Sequence, residues 1–210
     1  MSDADPGAIG STAPGHYGVA ASQVTLAQAT IVAAWNVQGD PARAPFVAQV
    51  QRLFEVALPV VPNTTARGVA WTALWLGPRS WLMVARTELA VQPGLAAFTA
   101  QRDALNEGGG ALFDLSASRV AFVVGGERAA DVLAKSCPLD FRPREFVAAH
   151  CAQSLFGHVN ALVHRPDASP AFTLMVARSF ARDVWRSLCL SAAQYGYDVV
   201  PSPHDPCGLS

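Results

Sequence analysis

Apolar residues recur along the chain with two spacings, which predict strands that alternate with helices. Residues 26–37 are rich in β-branched and aromatic side chains and predict a strand. Asp40 and Pro41 then predict a helix start, with the aspartate as N-cap and the proline in the first turn. That helix is indicated by apolar residues three and four positions apart, which lie on one face: Phe46, Val47, Val50, Phe54 and Ala57.

A compact turn separates the next two apolar runs. Residues 69–76 and 80–85 predict two strands, and Gly77-Pro78-Arg79 between them predicts a β-hairpin. Pro93-Gly94 then opens a second helix, which we expect to end at the glycines of residues 108–110. Its apolar stripe consists of Leu95, Phe98 and Leu105.

The second half of the chain repeats this order of elements. A strand, a Gly125-Gly126 turn and a helix come first, three apolar strands follow, and a last helix begins at Ser179 as its N-cap. The predicted strands are residues 119–124, 149–156, 159–164 and 172–177. The helix of residues 127–136 places Ala129, Val132, Leu133 and Ser136 on one face, and the last helix places Phe180, Val184 and Leu188 there, with Trp185 beside them.

This order of elements predicts an α+β protein built from two similar halves, each an antiparallel sheet with helices packed on one face. The first half covers residues 23–110 and the second covers residues 111–200. Residues 1–22 are rich in Gly, Ala, Ser and Pro and predict a flexible arm. Residues 201–210 contain three prolines and predict a tail.

The composition excludes several classes of protein. Hydrophobic residues make up 51% of the chain and charged residues only 15%, against about 25% charged in an ordinary soluble domain. A net charge of -1 gives no electrostatic basis for binding nucleic acid or an anionic membrane. We find no uninterrupted apolar run of about 20 residues, the length of a membrane span. Asp3 and Asp5 open a sequence without a basic segment or an apolar signal core, so we expect a cytoplasmic protein.

Residues capable of catalysis do not form a recognisable motif. Ser116 and Ser118 lack the G-x-S-x-G pattern of a nucleophile elbow, and we interpret them as turn or capping residues. Gly125-Gly126 lies between a strand and a helix but lacks both phosphate-loop patterns, so it predicts a tight turn. We therefore predict no catalytic and no cofactor-binding residues in this chain.

The histidines and cysteines do not have the spacing of a metal site. His150 and Cys151 are neighbours in a strand and point to opposite faces. His158 and His164 share a face, but at about 3.3 Å per residue they lie roughly 20 Å apart, whereas zinc ligands lie about 2 Å from one ion. The chain has no C-x-x-C pair, and we interpret its thiols as buried or incidental: Cys137, Cys151, Cys189 and Cys207.

The predicted hairpin is apolar on both faces. Alternation places Trp71, Ala73 and Trp75 on one face, and Leu74 and Leu76 on the other. Such a hairpin lies either between two layers of the protein or against another chain, and both alternatives stay open. If it lies against another chain, large aromatic residues would dominate the contact. The candidate subunit-interface residues are Trp71, Trp75, Trp81 and Trp185.

Five segments, in order, resemble the gamma subunit family of heterotetrameric sarcosine oxidase. The resemblance covers roughly residues 26–196, and Arg79-Ser80 departs from it, because an acidic residue is expected there in the family. The segments are residues 73–84, 113–116, 137–140 with Phe146 behind them, 151–154 and 178–188.

The resemblance implies a fold, a complex and a role. The fold would be related to the folate-binding aminomethyltransferase superfamily, and the chain would be part of an alpha, beta, gamma, delta complex that oxidatively demethylates sarcosine to glycine. It also implies that FAD, FMN, NAD, zinc and tetrahydrofolate are bound by other subunits, and that gamma mainly contacts alpha. Two alternatives stay open: a stand-alone folate-binding one-carbon protein of the same superfamily, and a general interaction module.

Overall fold

The computed structural model describes residues 12–18, 21–86 and 95–201. Its strands are β1 (Gly15–Tyr17), β2 (Val24–Ala29), β3 (Ala34–Gln38), β4 (Thr65–Arg67), β5 (Trp71–Gly77), β6 (Ser80–Ala85), β7 (Ala111–Asp114), β8 (Arg119–Gly125), β9 (His150–Phe156), β10 (Val159–Arg165), β11 (Ala171–Ala177) and β12 (Tyr197–Val199). Its helices are α1 (Ala44–Phe54), α2 (Leu95–Glu107), α3 (Ala129–Ala134) and α4 (Ala181–Ala192). In the part of the chain so described, no helix is long and apolar enough to cross a membrane.

The strands form two sheets. The large sheet has the order β1-β12-β2-β8-β11-β10-β9, and the small sheet has the order β4-β5-β6-β3-β7. Neighbouring strands are antiparallel except β12 and β2, which run parallel. The sheets exchange a strand across the middle of the chain, because β2 pairs with β8 and β7 pairs with β3. This pairing does not test the division of the chain into two halves at residue 110, which stays a prediction.

Three apolar clusters show that the molecule has four layers. The first cluster joins the large sheet to α3 and α4, and includes Phe122, Leu174 and Leu188. The second joins the small sheet to α1 and α2, and includes Phe46 and Trp81. The third lies between the sheets and consists mainly of Ala27, Ala29, Ala34, Leu74, Leu82, Val84, Ala121, Val123, Cys151, Leu162 and Met175. This arrangement confirms the predicted α+β class, with helices on one face of each antiparallel sheet.

The prediction of a single strand over residues 26–37 is wrong. This stretch forms β2 and β3, which belong to different sheets. The connection between them is itself apolar, because Ile31 packs between the sheets while Val32 and Ala33 pack against the helix-covered face of the small sheet. Residues that cross between two buried layers are thus as apolar as the strands beside them, although they do not form a strand.

The first helix begins later than predicted. Asp40 does not cap it; its carboxylate accepts a hydrogen bond from the Ala42 amide at 3.0 Å and pairs with Arg79 at 2.9 Å. The N-cap is Arg43, which makes no side-chain capping bond, and a proline lies in the first helical turn. The Asp-Pro pair therefore forms a turn that precedes the helix.

The end of α1 also differs from the prediction. Phe46, Val50 and Phe54 are buried as predicted. Val47 is exposed, and Ala57 lies beyond the helix, because the backbone at Glu55 turns to a left-handed φ of 50°.

The last helix begins at Ala181, and Ser179 does not cap it. Ser179 lies in a short 3-10 turn, Arg178–Phe180, and the N-cap residue, Phe180, makes no side-chain capping bond. Phe180 has a non-helical backbone, with φ -99° and ψ 2°, so its ring leaves the helix stripe and is exposed. Val184 and Leu188 are buried as predicted.

The remaining predicted elements agree closely with the structure. The hairpin is formed by β5 and β6, and the helix predicted for residues 127–136 is the shorter α3, with Ala129, Val132 and Leu133 buried. Leu105 of α2 is buried and Phe98 packs beside it. The predicted start of α2 at residues 93–94 lies outside the described residues.

A strand lies within the stretch predicted as a flexible arm. Residues 15–17 form β1, which pairs with β12. Tyr17 stacks on Tyr197 with ring centroids 5.3 Å apart, and His16 Nδ1 lies 2.8 Å from the Asp198 carboxylate. The prediction rested on the small residues of the arm, whereas Tyr17 and His16 provide its contacts with β12. Residues 1–11 of the arm and residues 202–210 of the tail lie outside the described residues.

Candidate functional site

The hairpin is an interior strand pair, the first of the two alternatives that the sequence left open. On β5, Trp71 and Ala73 face the helix-covered core of the small sheet, whereas Leu74 faces the large sheet. On β6, Trp81 faces the helices and Leu82 faces the large sheet. Both faces of the hairpin are therefore covered by the same chain, which accounts for its two apolar faces.

Three of the four candidate interface tryptophans are core residues. Trp71, Trp81 and Trp185 are 4%, 0% and 6% exposed. The Trp81 indole donates to the Pro59 carbonyl at 2.7 Å, and the Trp185 indole donates to Thr12 Oγ1 at 3.0 Å. These side chains have almost no area left for a partner.

Trp75 differs from the other three candidates because it is only partly buried. Its ring packs against both the helix-covered core and the cluster between the sheets. A register shift in the β5–β6 ladder begins at Trp75, two residues before Gly77. Of the four candidates, only Trp75 can offer side-chain area to another molecule.

The cysteine of β9 is held in an unreactive state. Cys151 is buried, and its Sγ lies 3.4 Å from the Trp75 carbonyl oxygen. Burial raises the pKa of the Cys151 thiol to about 12, so the thiolate required of a nucleophile is suppressed. His150 is half-buried at the start of β9, while His158 is exposed in the turn between β9 and β10.

His164 is the most strongly perturbed histidine. It lies on β10 opposite Cys151 and Thr173, between the two sheets, and is 1% exposed. Burial, and secondarily the positive charge of Arg67, lowers its pKa to about 4, and Asp167 acts in the opposite direction. Among the described residues, its Nδ1 atom has no hydrogen-bond partner. His164 is therefore a neutral core residue at pH 7.

The predicted turn residues have structural roles. Ser116 donates to the Asp114 carboxylate at 2.5 Å and accepts from the Ala34 amide at 3.0 Å, and Ser118 donates to the Leu115 carbonyl at 2.9 Å. These bonds confirm the interpretation of both serines as turn residues.

Gly125-Gly126 is a tight strand-to-helix turn, as predicted. Gly126 has a φ of 99°, and a Cβ there would lie 2.4 Å from the Gln23 carbonyl oxygen. That oxygen accepts the amide of Arg128, and the Gly126 carbonyl accepts the amide of Ala129. The turn is closed by the protein's own backbone.

No metal-binding arrangement is found in the regions that the structure describes: no three of their His, Cys, Asp and Glu residues come together around one point. Cys137, Cys151 and Cys189 are free thiols, and the first two are buried, as one reading of the sequence expected, whereas Cys189 is half-buried. Cys207 lies outside the described residues.

A cavity of about 370 Å³, here called the inner cavity, opens between the sheets. One wall is formed by Leu76 and Leu82 of the small sheet. The opposite wall belongs to the large sheet and consists of Arg119, Gln153, Ser154, Asn160, Ala161, Leu162 and Met175. The Gln153 side chain spans the gap, since its amide nitrogen donates to the Leu76 carbonyl at 2.7 Å.

Sequence reasoning did not select any of the polar residues of the inner cavity. One signal was present, because Gln153 and Asn160 interrupt apolar strands at positions whose neighbours two residues away face the core. Arg119 lies on the same face of β8 as Ala121 and Val123, both between the sheets. A polar residue that shares a strand face with apolar residues between the sheets is the pattern that marks this cavity.

Comparisons with known proteins agree with the fold. A chain of the heterotetrameric sarcosine oxidase from Corynebacterium sp. U-96 superposes with a TM-score of 0.72 at 26% identity, over 85% of this chain and 88% of that chain. The glycine cleavage system aminomethyltransferase T from Bartonella henselae superposes with a TM-score of 0.59 at 14% identity, over 86% of this chain and 48% of that chain, and shows a likeness of fold alone.

Curated relatives have the same name. Sarcosine oxidase subunit gamma from Corynebacterium sp. strain U-96 is 36% identical over 111 residues, or 52% of this chain and 51% of that protein. The match therefore spans about half the length of that relative. Sarcosine oxidase subunit gamma from an Arthrobacter species is 30% identical over 149 residues, which is 70% of each chain.

A family model covers most of the folded body. The model described as the sarcosine oxidase, gamma subunit family matches residues 38–194. This range extends from the end of β3, through both sheets, to the end of α4, and includes all five segments on which the sequence resemblance rested. The chain belongs to the sarcosine oxidase gamma subunit family.

Proposed function

We propose that this protein is the gamma subunit of a heterotetrameric sarcosine oxidase, in which it is a structural and assembly component. The complex oxidatively demethylates sarcosine to glycine, and releases hydrogen peroxide together with formaldehyde or methylene-tetrahydrofolate. In this proposal the chain contacts mainly the alpha subunit and is associated with beta and delta through the complex. The complex is cytoplasmic.

The likeness to a chain of a solved heterotetrameric sarcosine oxidase carries this proposal. That superposition covers 85% of this chain and 88% of the other, so the two chains correspond over nearly their whole folds. The family match over residues 38–194 supports the same assignment from the sequence. A fold alone would not establish a function, but a shared family and a shared fold over matching lengths favour a shared place in the complex.

The proposal assigns the chemistry to the other subunits. FAD, FMN, NAD, zinc and tetrahydrofolate would all be bound there. In support, three described groups that could act as a nucleophile or base serve the fold: Cys151 has a pKa raised to about 12 by burial, His164 has a pKa lowered to about 4, and Ser116 holds the start of β3.

Co-expression tests the proposal. The chain is produced together with alpha, beta and delta subunits, and in parallel the same set is produced without it. Size-exclusion chromatography and sarcosine-dependent hydrogen peroxide formation are then measured. We expect the assembled, active complex only when this chain is present, and we expect activity to return when the purified chain is added back.

Two outcomes would contradict the proposal. A fully active complex that assembles without this chain would remove the structural role. Binding of tetrahydrofolate to the isolated chain, measured by calorimetry, would favour the stand-alone folate-binding alternative. Parallel assays with other N-methyl amino acids determine whether sarcosine is the preferred substrate, and cell fractionation tests the cytoplasmic location.

A further inference from the structure

We propose that the inner cavity between the two sheets binds a small organic anion, a carboxylate with an apolar body, through Arg119. The cavity measures about 370 Å³, which is within the range of about 300–1,000 Å³ typical of small-molecule sites. Such sites have mostly apolar walls and a few polar groups that orient the ligand. The inner cavity has this composition. Binding there does not depend on the role proposed for the chain in a complex.

The apolar part of the site lies deep between the sheets. Leu82 of the small sheet faces Leu162 and Met175 of the large sheet, and these three side chains are 3%, 5% and 1% exposed. Leu162 and Met175 are directly opposite each other on β10 and β11, so they form one continuous surface. Little of their surface is exposed, so Leu76, which is half-buried beside Leu82 on the small sheet, provides the apolar contact that an apolar ligand body would cover.

The charged part of the site is Arg119. It is the first residue of β8, is partly buried, and lies on the face of the large sheet that points to the small sheet. Its backbone carbonyl accepts from Arg178, but no ion pair or hydrogen bond from another described residue reaches its guanidinium. A guanidinium without a counter-charge, held beside an apolar wall, attracts a carboxylate more strongly than one in bulk water.

The other polar groups of the cavity are compatible with an anion. Gln153, Ser154 and Asn160 are uncharged, and no aspartate or glutamate is among the described residues that line the cavity. Asn160 can donate a second hydrogen bond from its amide, while Gln153 already donates to Leu76 across the gap. The cavity thus contains one positive charge and no negative charge, which selects an acid over an amine.

A second cavity, here called the outer cavity, shares lining residues with the inner cavity. The outer cavity, also about 370 Å³, shares Arg119 and Asn160 with the inner cavity and is lined in addition by His158, Val159 and the exposed Phe180. Arg119 therefore lies where the space between the sheets meets the surface. A ligand would enter past Phe180, place its carboxylate at the guanidinium and extend its apolar body inward.

Binding of matched probes to the full chain tests the inference. 2-Naphthoate and its neutral counterpart 2-naphthamide have the same apolar body and differ in the charge that Arg119 would recognise. Calorimetry and saturation-transfer NMR measure binding of both. We expect naphthoate to bind at least about tenfold more tightly than naphthamide, the difference expected for a hydrogen bond to a charged group.

Variants place the probe in the cavity. Arg119→Gln should weaken naphthoate binding by about tenfold or more while leaving naphthamide binding within about twofold, because only the charge is lost. Arg119→Lys keeps the charge and should recover part of the affinity. Arg186→Gln removes an exposed arginine that lines neither cavity and should leave both probes unaffected. Circular dichroism and thermal unfolding establish that each variant is folded.

Three results would overturn the inference. The first is absence of naphthoate binding up to its solubility limit. The second is equal affinity of the wild-type chain for naphthoate and naphthamide. The third is equal loss of affinity in Arg119→Gln and Arg186→Gln, which would show non-specific attraction to surface charge. None of these results bears on assembly of the complex, so the inference and the proposed function can fail separately.

Discussion

Acidification should destabilise this protein through a single histidine. His164 lies between the two sheets, is 1% exposed and has an Nδ1 atom that no described residue hydrogen-bonds. Protonating it in the folded state would place a positive charge near Arg67 in an apolar layer, and Asp167 offsets this only in part. Burial and Arg67 together lower its pKa from 6.5 to about 4. The perturbation is therefore a decrease in pH from 7 to 4.

The sign and size of the effect follow from proton linkage. Above pH 6.5 the histidine is neutral in both states and has no effect. Between pH 6.5 and 4 the unfolded chain binds a proton that the folded chain does not bind, so the free energy of unfolding decreases as the pH falls. The two pKa values differ by about 2.5, and at about 1.4 kcal/mol for each pH unit the loss reaches about 3 kcal/mol near pH 4.

Urea unfolding at a series of pH values measures this loss. Carboxylates also titrate in the acid range, so the informative quantity is the difference between the wild type and His164→Gln, which cannot take up the proton. We expect the variant to lose about 3 kcal/mol less than the wild type between pH 7 and 4. His158→Gln, in an exposed turn, should keep the wild-type pH dependence. Parallel pH profiles for wild type and His164→Gln would refute the reasoning.

Three further predictions follow from the packing. Leu74→Ala, between the sheets, should lower the free energy of unfolding in urea by about 3 kcal/mol, whereas Leu190→Ala, 67% exposed, should change it by less than about 0.5 kcal/mol. Gly126→Ala should lower the melting temperature far more than Gly157→Ala. Both glycines have positive φ, but only at Gly126 would a Cβ lie 2.4 Å from a carbonyl oxygen. An equal decrease in melting temperature for the two variants would contradict this. Cys151 should resist iodoacetamide at pH 8 until urea is added, as followed by mass spectrometry, because burial raises the pKa of its thiol to about 12.

The sequence allowed the elements to be predicted better than their partners. Periodicity placed the hairpin, the buried face of α3 and the three buried residues of α1 correctly, because each depends on residues close together in the chain. It could not show that residues 26–37 divide between two sheets, since the connection is as apolar as the strands that it joins. Strand order depends on contacts between distant segments, such as β2 with β8, and local patterns do not contain them.

Capping and exposure were the other points at which local rules failed. Asp40 and Ser179 have the residue types that favour N-caps, yet the first pairs with Arg79 and the second lies in a 3-10 turn. Phe180 is four residues before Val184 and would share its face in a continuous helix, but the non-helical backbone at Phe180 moves the ring to the surface. A change in backbone at one residue is sufficient to defeat a periodic argument.

The candidate site was the least predictable part, for a physical reason. Its polar groups come from three strands of one sheet, β8, β9 and β10, and meet two leucines of the other sheet. Gln153 and Asn160 lie on the two strands of one hairpin, Arg119 lies far before them in the sequence, and the three form no motif. Strand alternation predicts only the face of the strand on which each of these residues lies. The predicted face locates a site only when the pairing of the strands is also known.

The position of the tryptophan-rich hairpin changes the meaning of the low charge content. With only 15% charged residues, a subunit interface was the open alternative to an interior hairpin, but a four-layer molecule has three interior contacts and so needs more apolar residues than a two-layer domain of the same length. Trp71 and Trp81 cover one of those contacts. A partner would therefore contact side chains other than these buried tryptophans, and mutation of the buried tryptophans would impair assembly only by destabilising the chain itself.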